Sequence, residues 1–355
     1  MARAALLFLT GLLLMLLAVE AMLQCLPVSS ATRTGYQVDP LILTYPPQHS
    51  WMVSTGWDLR NSRRLSANNL GFVAASDFTP DPRAIGLIGD SYVEAGMLDL
   101  QDRPAAQLES ALSARRPVYA LGGPGSALLD YAERIRFASE RLAIHDFVVV
   151  MEAGDVRQSL CGSGNVHGPC LDRRFLQPRV ELQPGPSWAK RLLRNSALAQ
   201  YVVGQLKFDA AGWVRKVFAA TSEGALVANL APAEPAPPEP IAEQSRRALM
   251  VQAVALQFFA RIKPHATGRL IFVIDGRRSA PALKSEAAAS APLMLERSAF
   301  IGLVRQHGAT VIDAETLYRQ HWAKSGLALE VGPSDGHLNP LGVGLLMRAV
   351  AESLQ

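Results

Sequence analysis

Cysteine is scarce. The 355 residues hold three, Cys25, Cys161 and Cys170, and no C-x-x-C pair. A structural zinc site draws on closely spaced thiolates and imidazoles, so none is expected. Charge is sparse as well, at 19% of residues. The net charge is +4 and the isoelectric point near 9.1, yet no dense Lys/Arg tract exists. The basic balance is mild and leaves no nucleic-acid footprint. No internal repeat is evident. What the chain has in plenty is apolar residues, 49% of the total. That suffices for one large or two medium domains with a substantial core.

The apolar content is concentrated at the N-terminus. After Arg3, residues 4–19 carry no charge and are dominated by leucine; Glu20 interrupts, and Ala21-Met22-Leu23 extends the run. A bilayer core needs roughly 20 apolar residues. The segment therefore predicts a signal anchor over residues 1–26, with a signal peptide cleaved near Ala31 as the alternative. Arg3 favours a cytoplasmic N-terminus, so either reading puts the bulk of the chain outside the cytoplasm. Cys25 follows Met22-Leu23-Gln24, which lacks the small residue expected before a lipidated cysteine. In an oxidising compartment Cys161 and Cys170, at the ends of CGSGNVHGPC, are expected to form a disulfide. The alternatives are two free thiols, or a Cys161–His167–Cys170 metal site with only three ligands.

Residues 27–82 are rich in Pro, Ser, Asn and Arg with weak periodicity, and read as a juxtamembrane segment. From Ala84 the pattern changes. Apolar runs at 84–89, 118–121, 147–151, 270–274 and 310–312 predict strands. Helical spacing falls at 105–115, through Leu128, Tyr131, Ile135 and Leu142, and near 244–262, 294–306 and 339–353. Strands separated by helices predict an α/β fold, a three-layer α/β/α sandwich on a parallel sheet, over residues 83–355. An insertion at about 157–243 interrupts it. Its part 187–219 has helical character, with Trp188, Leu192, Leu193, Leu198, Tyr201, Leu206, Trp213 and Phe218. Residues 231–240, APAEPAPPEP, predict an extended, mobile linker. A loop of this length in an α/β domain is a lid, a binding element or a disordered segment.

Ligands of open α/β sheets bind beyond the carboxyl ends of the strands. Residues 85–96, IGLIGDSYVEAG, end an apolar run at Asp90-Ser91. Ser91 reads either as a helix cap or as a presented nucleophile. After the next strand comes GGPGS (Gly122–Ser126), whose glycines permit close backbone approach, and after the third comes EAGDV (Glu152–Val156). Near the C-terminus stands PSDGHLNPLG. A nucleophilic serine needs a base, and the base needs a carboxylate to fix its tautomer. Asp335 and His337, one residue apart, can reach one site from a single loop.

In this order and spacing the blocks resemble the SGNH hydrolases, also called GDSL esterases/lipases, over residues 81–355. Gly89-Asp90-Ser91 matches the nucleophile block, LGGPG the second, and D-G-H-L-N the Asp/His block. Asn68–Phe72 (NNLGF) resembles membrane-anchored members linked to bacterial surface polysaccharides. The resemblance implies Ser91 as nucleophile, His337 as general base and Asp335 as its orienting acid. It implies an oxyanion hole from the Ser91 and Gly125 N–H groups. The third block departs from the pattern: the expected asparagine is replaced by Gly154 or Asp155. Asn165 is a candidate replacement donor. The resemblance further implies an enzyme without metal or cofactor, anchored in a bacterial inner membrane and facing the periplasm. Its substrate would be a small acyl ester, such as acetyl on a cell-surface glycan, with polysaccharide-assembly proteins as candidate partners. An O-acetyltransferase using the same serine and a non-catalytic glycan-binding or assembly protein are the alternatives.

Overall fold

Five short apolar runs build one parallel sheet: β1 (Ile85–Gly89), β2 (Val118–Gly122), β3 (Asp146–Met151), β4 (Leu270–Ile274) and β5 (Thr310–Asp313). Their order is β5-β4-β3-β1-β2. Strands covered on both faces need apolar side chains at successive positions, and IGLIG and FVVVM supply them. The computed structural model describes residues 2–31, 33–206, 241–289, 291–332 and 335–355. The proline-rich stretch 231–240, Trp213 and Phe218 lie outside these residues.

Six helices cover the sheet: α1 (Pro104–Ala111), α2 (Leu128–Leu142), α3 (Ile241–Ile262), α4 (Pro292–Gln306), α5 (Ala314–Lys324) and α6 (Pro340–Leu354). Helices α2, α3 and α4 share a core with Ile88, Leu121, Phe147, Val149, Phe272 and Ile274. Helices α1, α5 and α6 share the other with Ile85, Leu87, Val148, Val150, Ile271 and Val273. Alternate residues of each strand thus face opposite layers, and the architecture is the expected three-layer α/β/α sandwich. Helix α1 stops at Ala111, short of the spacing-based end at 115, because Ser113 and Ala114 turn to positive φ. Helix α5 has no clear apolar signature, since it buries only Ala314 and Tyr318.

Residues 27–82 are more structured than their composition suggests. They hold two two-stranded sheets, Gly35–Asp39 antiparallel to Ile42–Thr44, and Ser50–Thr55 paired with Arg60–Ser66. Arg60–Ser66 (RNSRRLS) escapes sequence patterning because Leu65 is its one buried residue. The NNLGF stretch is a turn built by its own asparagines. Asn68 Oδ1 accepts the N–H groups of Leu70 and Phe72, and Asn69 bonds both backbone groups of Phe78. That turn delivers Phe72 to the core, where it is 1% exposed.

By contacts the chain divides into two compact units. The larger, residues 33–49, 66–185 and 244–355, contains the whole sheet. The smaller comprises residues 1–32, 50–65 and 186–243. Its helix Ala2–Gln24, 23 residues of mean hydropathy 2.4 over its most apolar window, is long and apolar enough to cross a membrane. Near the helix end Glu20 accepts hydrogen bonds from Ser196 Oγ and from the N–H groups of Ala197 and Leu198, at 2.8–2.9 Å. Short helices Trp188–Leu193 and Ala197–Ala199 lie where the spacing predicts helix.

The larger unit buries several carboxyls. Glu94 is enclosed in it, and Tyr45 Oη donates to both its oxygens. Burial lifts its carboxyl to about 7. A carboxyl raised above its unfolded value contributes stability at low pH that is lost as pH rises through the folded value. Glu94→Gln keeps the acceptor and removes the titration. The variant is expected to match wild type near pH 4.5 and to exceed it at pH 8 by about 1–3 kcal/mol. Urea unfolding at the two pH values measures the difference; no pH dependence in the difference would contradict the burial argument.

Candidate active site

Strand β1 can end in a tight turn because Gly89 has no side chain. A Cβ there would lie 2.6 Å from the Val150 carbonyl oxygen of β3. The chain then enters a single helical turn, Ser91–Glu94, capped by Asp90, whose Oδ1 accepts the Tyr92 N–H at 2.9 Å. Asp90 thus takes the capping role, and Ser91 Oγ is left to face the site. Burial, opposed by the Tyr92 N–H and reinforced by the charge of Glu152, lifts the Asp90 carboxyl to about 7.

The partner of Ser91 arrives from far along the chain. Asp335–Leu338 pairs antiparallel with Glu330–Gly332 just before α6, and Asn339 caps that helix through the Gly342 N–H. This pairing brings His337 to the sheet's carboxyl edge. Its Nε2 lies 2.9 Å from Ser91 Oγ, and its Nδ1 lies 2.6 Å from Asp335 Oδ1. The same Asp335 oxygen accepts the His337 backbone N–H at 3.1 Å. A carboxylate only accepts, so Nδ1 carries the proton and Nε2 offers its lone pair to the serine hydroxyl. The structure therefore brings Ser91, His337 and Asp335 together in one hydrogen-bonded relay.

Strand β1 lies between β2 and β3, so their trailing loops flank Ser91. Gly125, in the loop after β2, has φ +69°, which disfavours a side chain. Among the described residues the N–H groups of Ser91 and Gly125 have no protein acceptor. Such free N–H groups can receive a developing oxyanion. On the other side the candidates Gly154 and Asp155 part company. Asp155 is 1% exposed; its Oδ2 accepts Tyr131 Oη and the Glu152 N–H, each at 2.9 Å. Burial and the charges of Asp90 and Glu152 hold its carboxyl well above the ordinary range. Asp155 thus braces the loop from within, and the expectation that it lines the oxyanion hole is corrected: burial leaves its carboxyl all but closed to a bound carbonyl. Gly154 is half-exposed at the N-cap of the short helix Asp155–Gln158.

Cys161 and Cys170 are joined, with Cα atoms 5.2 Å apart. As a disulfide they cannot serve as metal ligands, and His167 is buried, its imidazole lowered to about 4 by that burial. Asn165, inside the disulfide loop, places Oδ1 3.7 Å from where a Cβ on Gly125 would be.

Sequence reasoning did not reach the arginine that braces this site. Arg278, in the loop after β4, donates to the Gly336 carbonyl oxygen and to Tyr92 Oη, and its guanidinium lies 4.8 Å from the Tyr92 ring centroid. Asp275 holds the arginine at 2.6 Å, and Tyr318 Oη donates to Asp275 at 2.7 Å. The Tyr92 ring lies 5.0 Å from the His337 imidazole. Arg278 therefore ties the histidine strand to the serine helix. Arginine has no sequence signature for such a task, because its partners come from three separate stretches.

No protein-family model matches the chain, and no curated protein matches it. Among solved structures it is similar to a member of the lipolytic G-D-S-L family from Veillonella parvula, at 9% identity over 76% of this chain and 97% of that one, TM-score 0.40. It is similar to a carbohydrate acetylesterase from Sinorhizobium meliloti, at 9% over 77% and 98%, TM-score 0.38. A third is a catalytic mutant of an acetylxylan esterase from Geobacillus stearothermophilus, at 10% over 78% and 95%, TM-score 0.41. Likeness at this level does not bear on chemistry; the relay geometry does.

Arg278→Met removes the tie but keeps much of the bulk. Small displacements of a reacting group cost up to about 100-fold. The variant is expected to slow phosphonylation of Ser91 by a fluorophosphonate about 10- to 100-fold while remaining folded. A rate within twofold of wild type would show that the histidine strand holds its place unaided.

Proposed function

We propose that the protein is a serine ester hydrolase acting on small O-acyl groups, acetyl first among them, of a cell-surface glycan. The observation that carries the reaction is the relay from Ser91 Oγ through His337 to Asp335. Ser91 Oγ attacks the acyl carbon while its proton passes to His337 Nε2. The carbonyl electron pair moves onto oxygen, facing the Ser91 and Gly125 N–H groups. Collapse restores the carbonyl and breaks the bond to the sugar oxygen, which takes the proton from His337. Water then repeats the sequence on the acyl-serine, releasing the acid and free Ser91. Asp335 stabilises the imidazolium formed in each half.

The substrate class follows the sequence resemblance to membrane-anchored members linked to surface polysaccharides. The apolar helix Ala2–Gln24 and the Cys161–Cys170 disulfide support the compartment: an inner-membrane anchor with the sheet unit in the periplasm. Polysaccharide-assembly proteins are the partners this reading suggests.

A fluorophosphonate probe is expected to label the detergent-solubilised protein at Ser91. Ser91→Ala should abolish labelling, and His337→Ala should suppress it strongly, with both variants folded. Equal labelling of wild type and Ser91→Ala would remove the serine-enzyme reading. Acetate release from an O-acetylated glycan, assayed with and without a second glycan as acceptor, tests the substrate class. Acetyl appearing on the acceptor in place of free acetate would convert hydrolysis to transfer. For the compartment, the chain should fractionate with membranes and resist salt extraction. Non-reducing peptide mapping should recover Cys161 and Cys170 linked.

A further inference from the structure

Gly154 lies in the loop after β3, the strand that neighbours β1 at the sheet's carboxyl edge, and has no side chain to offer a substrate oxygen. The space beside it is occupied nonetheless. A Cβ on Gly154 would lie 3.0 Å from Gln158 Nε2 and 3.8 Å from Gln158 Cδ. In asparagine the amide nitrogen is two bonds from its own Cβ, about 2.4 Å away. The carboxamide of Gln158 therefore sits where the side chain of an asparagine at 154 would begin.

Local geometry explains how it gets there. Gly154 is the N-cap of the helix Asp155–Gln158, and its carbonyl accepts the Gln158 N–H at 2.9 Å. Positions four apart share a helix face, and helical side chains lean toward the N-terminus. Gln158 is thus carried back over the glycine, a crossing that a side chain at 154 would obstruct. The helix is held rigidly. Asp155 is bonded to Tyr131 and to the Glu152 N–H, while Ser159 Oγ donates to the Asp155 carbonyl oxygen and accepts the Leu129 N–H. Among the described residues the half-buried Gln158 carboxamide itself makes no hydrogen bond, so its donors are free for a ligand. Asn165 is the weaker candidate, because its carboxamide lies against Gly125, 3.7 Å from a Cβ position there, and not at position 154.

We propose that Gln158 is a catalytic residue whose Nε2–H donates the third hydrogen bond to the oxyanion, beside the Ser91 and Gly125 N–H groups. The inference rests on the reading of Ser91 as an ester-attacking nucleophile. When Ser91 Oγ bonds to the acyl carbon and its proton moves to His337, the carbonyl oxygen gains the π pair and a full negative charge. The Gln158 Nε2–H donates to that charge, and the bond relaxes when the pair returns and the leaving alcohol departs. Removing one such donor costs roughly 100- to 1,000-fold in turnover.

The test uses the full-length protein in detergent, with p-nitrophenyl acetate as substrate and a fluorophosphonate as tetrahedral probe. Gln158→Ala is expected to lower kcat about 100- to 1,000-fold, with KM changed only a few-fold, and to slow phosphonylation of Ser91 in parallel. Gln158→Glu, which keeps size but cannot donate when ionised, should lose a similar factor and guards against a packing effect. Adding Gly154→Asn to Gln158→Ala should restore most of the loss, which a merely structural role for Gln158 would not allow. Gln158→Ala within twofold of wild type, or a loss that Gly154→Asn leaves unrepaired, would overturn the assignment while Ser91-dependent turnover still stood. Absence of any Ser91-dependent turnover or labelling in wild type would overturn the nucleophile reading, and this inference with it.

Discussion

The hydrogen bond between Ser91 Oγ and His337 Nε2 joins residues 246 positions apart. Everything at the carboxyl edge of the sheet is arranged so that this one contact can form. It requires β1 to end in a turn tight enough to expose Ser91, which Gly89 permits against β3. It requires a short antiparallel pair ahead of α6 to hold His337 above the edge. It also requires that the two halves not drift, and Arg278 answers that need by bonding Gly336 on one side and Tyr92 on the other. An imidazole free to rotate would contribute little, because base catalysis depends on a fixed donor–acceptor geometry.

A second constraint lies beneath the edge, where Asp90, Glu94, Asp130 and Asp155 are all buried. Burial raises each carboxyl, to about 7 for Asp90, Glu94 and Asp130. Arg134, 1% exposed, lies among them, and the same burial lowers its basicity. Ionised carboxylates packed this closely would repel one another, so a shared proton inventory is the cheaper state. These groups also carry backbone: Asp90 caps the serine helix, Asp130 the start of α2, and Asp155 the turn after β3. The site thus stands on a polar layer in which Asp90, Asp130 and Asp155 each hold backbone from below.

The segment from Glu152 to Cys170 is where the chain departs furthest from the pattern its other blocks resemble. A glycine replaces the expected donor, and one helical turn returns a carboxamide to the vacated place. The disulfide closes the following loop and fixes Asn165 beside Gly125. Backbone tied down by the disulfide and by buried hydrogen bonds suits a site whose free N–H groups must be aimed before a substrate arrives.

The layered fold was legible in the sequence because strands buried on both faces must be apolar without interruption, and little else produces IGLIG or FVVVM. That Ser91, His337 and Asp335 meet was expected from the resemblance of their blocks and from their place at strand ends; the structure sets them within hydrogen-bonding distance. The pairing of Cys161 with Cys170 followed from compartment and proximity. Other features could not be read this way. The strands within 27–82 bury too few side chains to leave a period, and α5 shows the core only two residues. Asp155 and Gly154 were indistinguishable as letters, since only packing against Tyr131 turns one carboxyl inward. Arg278 and Gln158 are invisible for the same physical reason. Each acts through partners that become neighbours only when distant strand ends, or successive turns of a helix, are brought to one point in space.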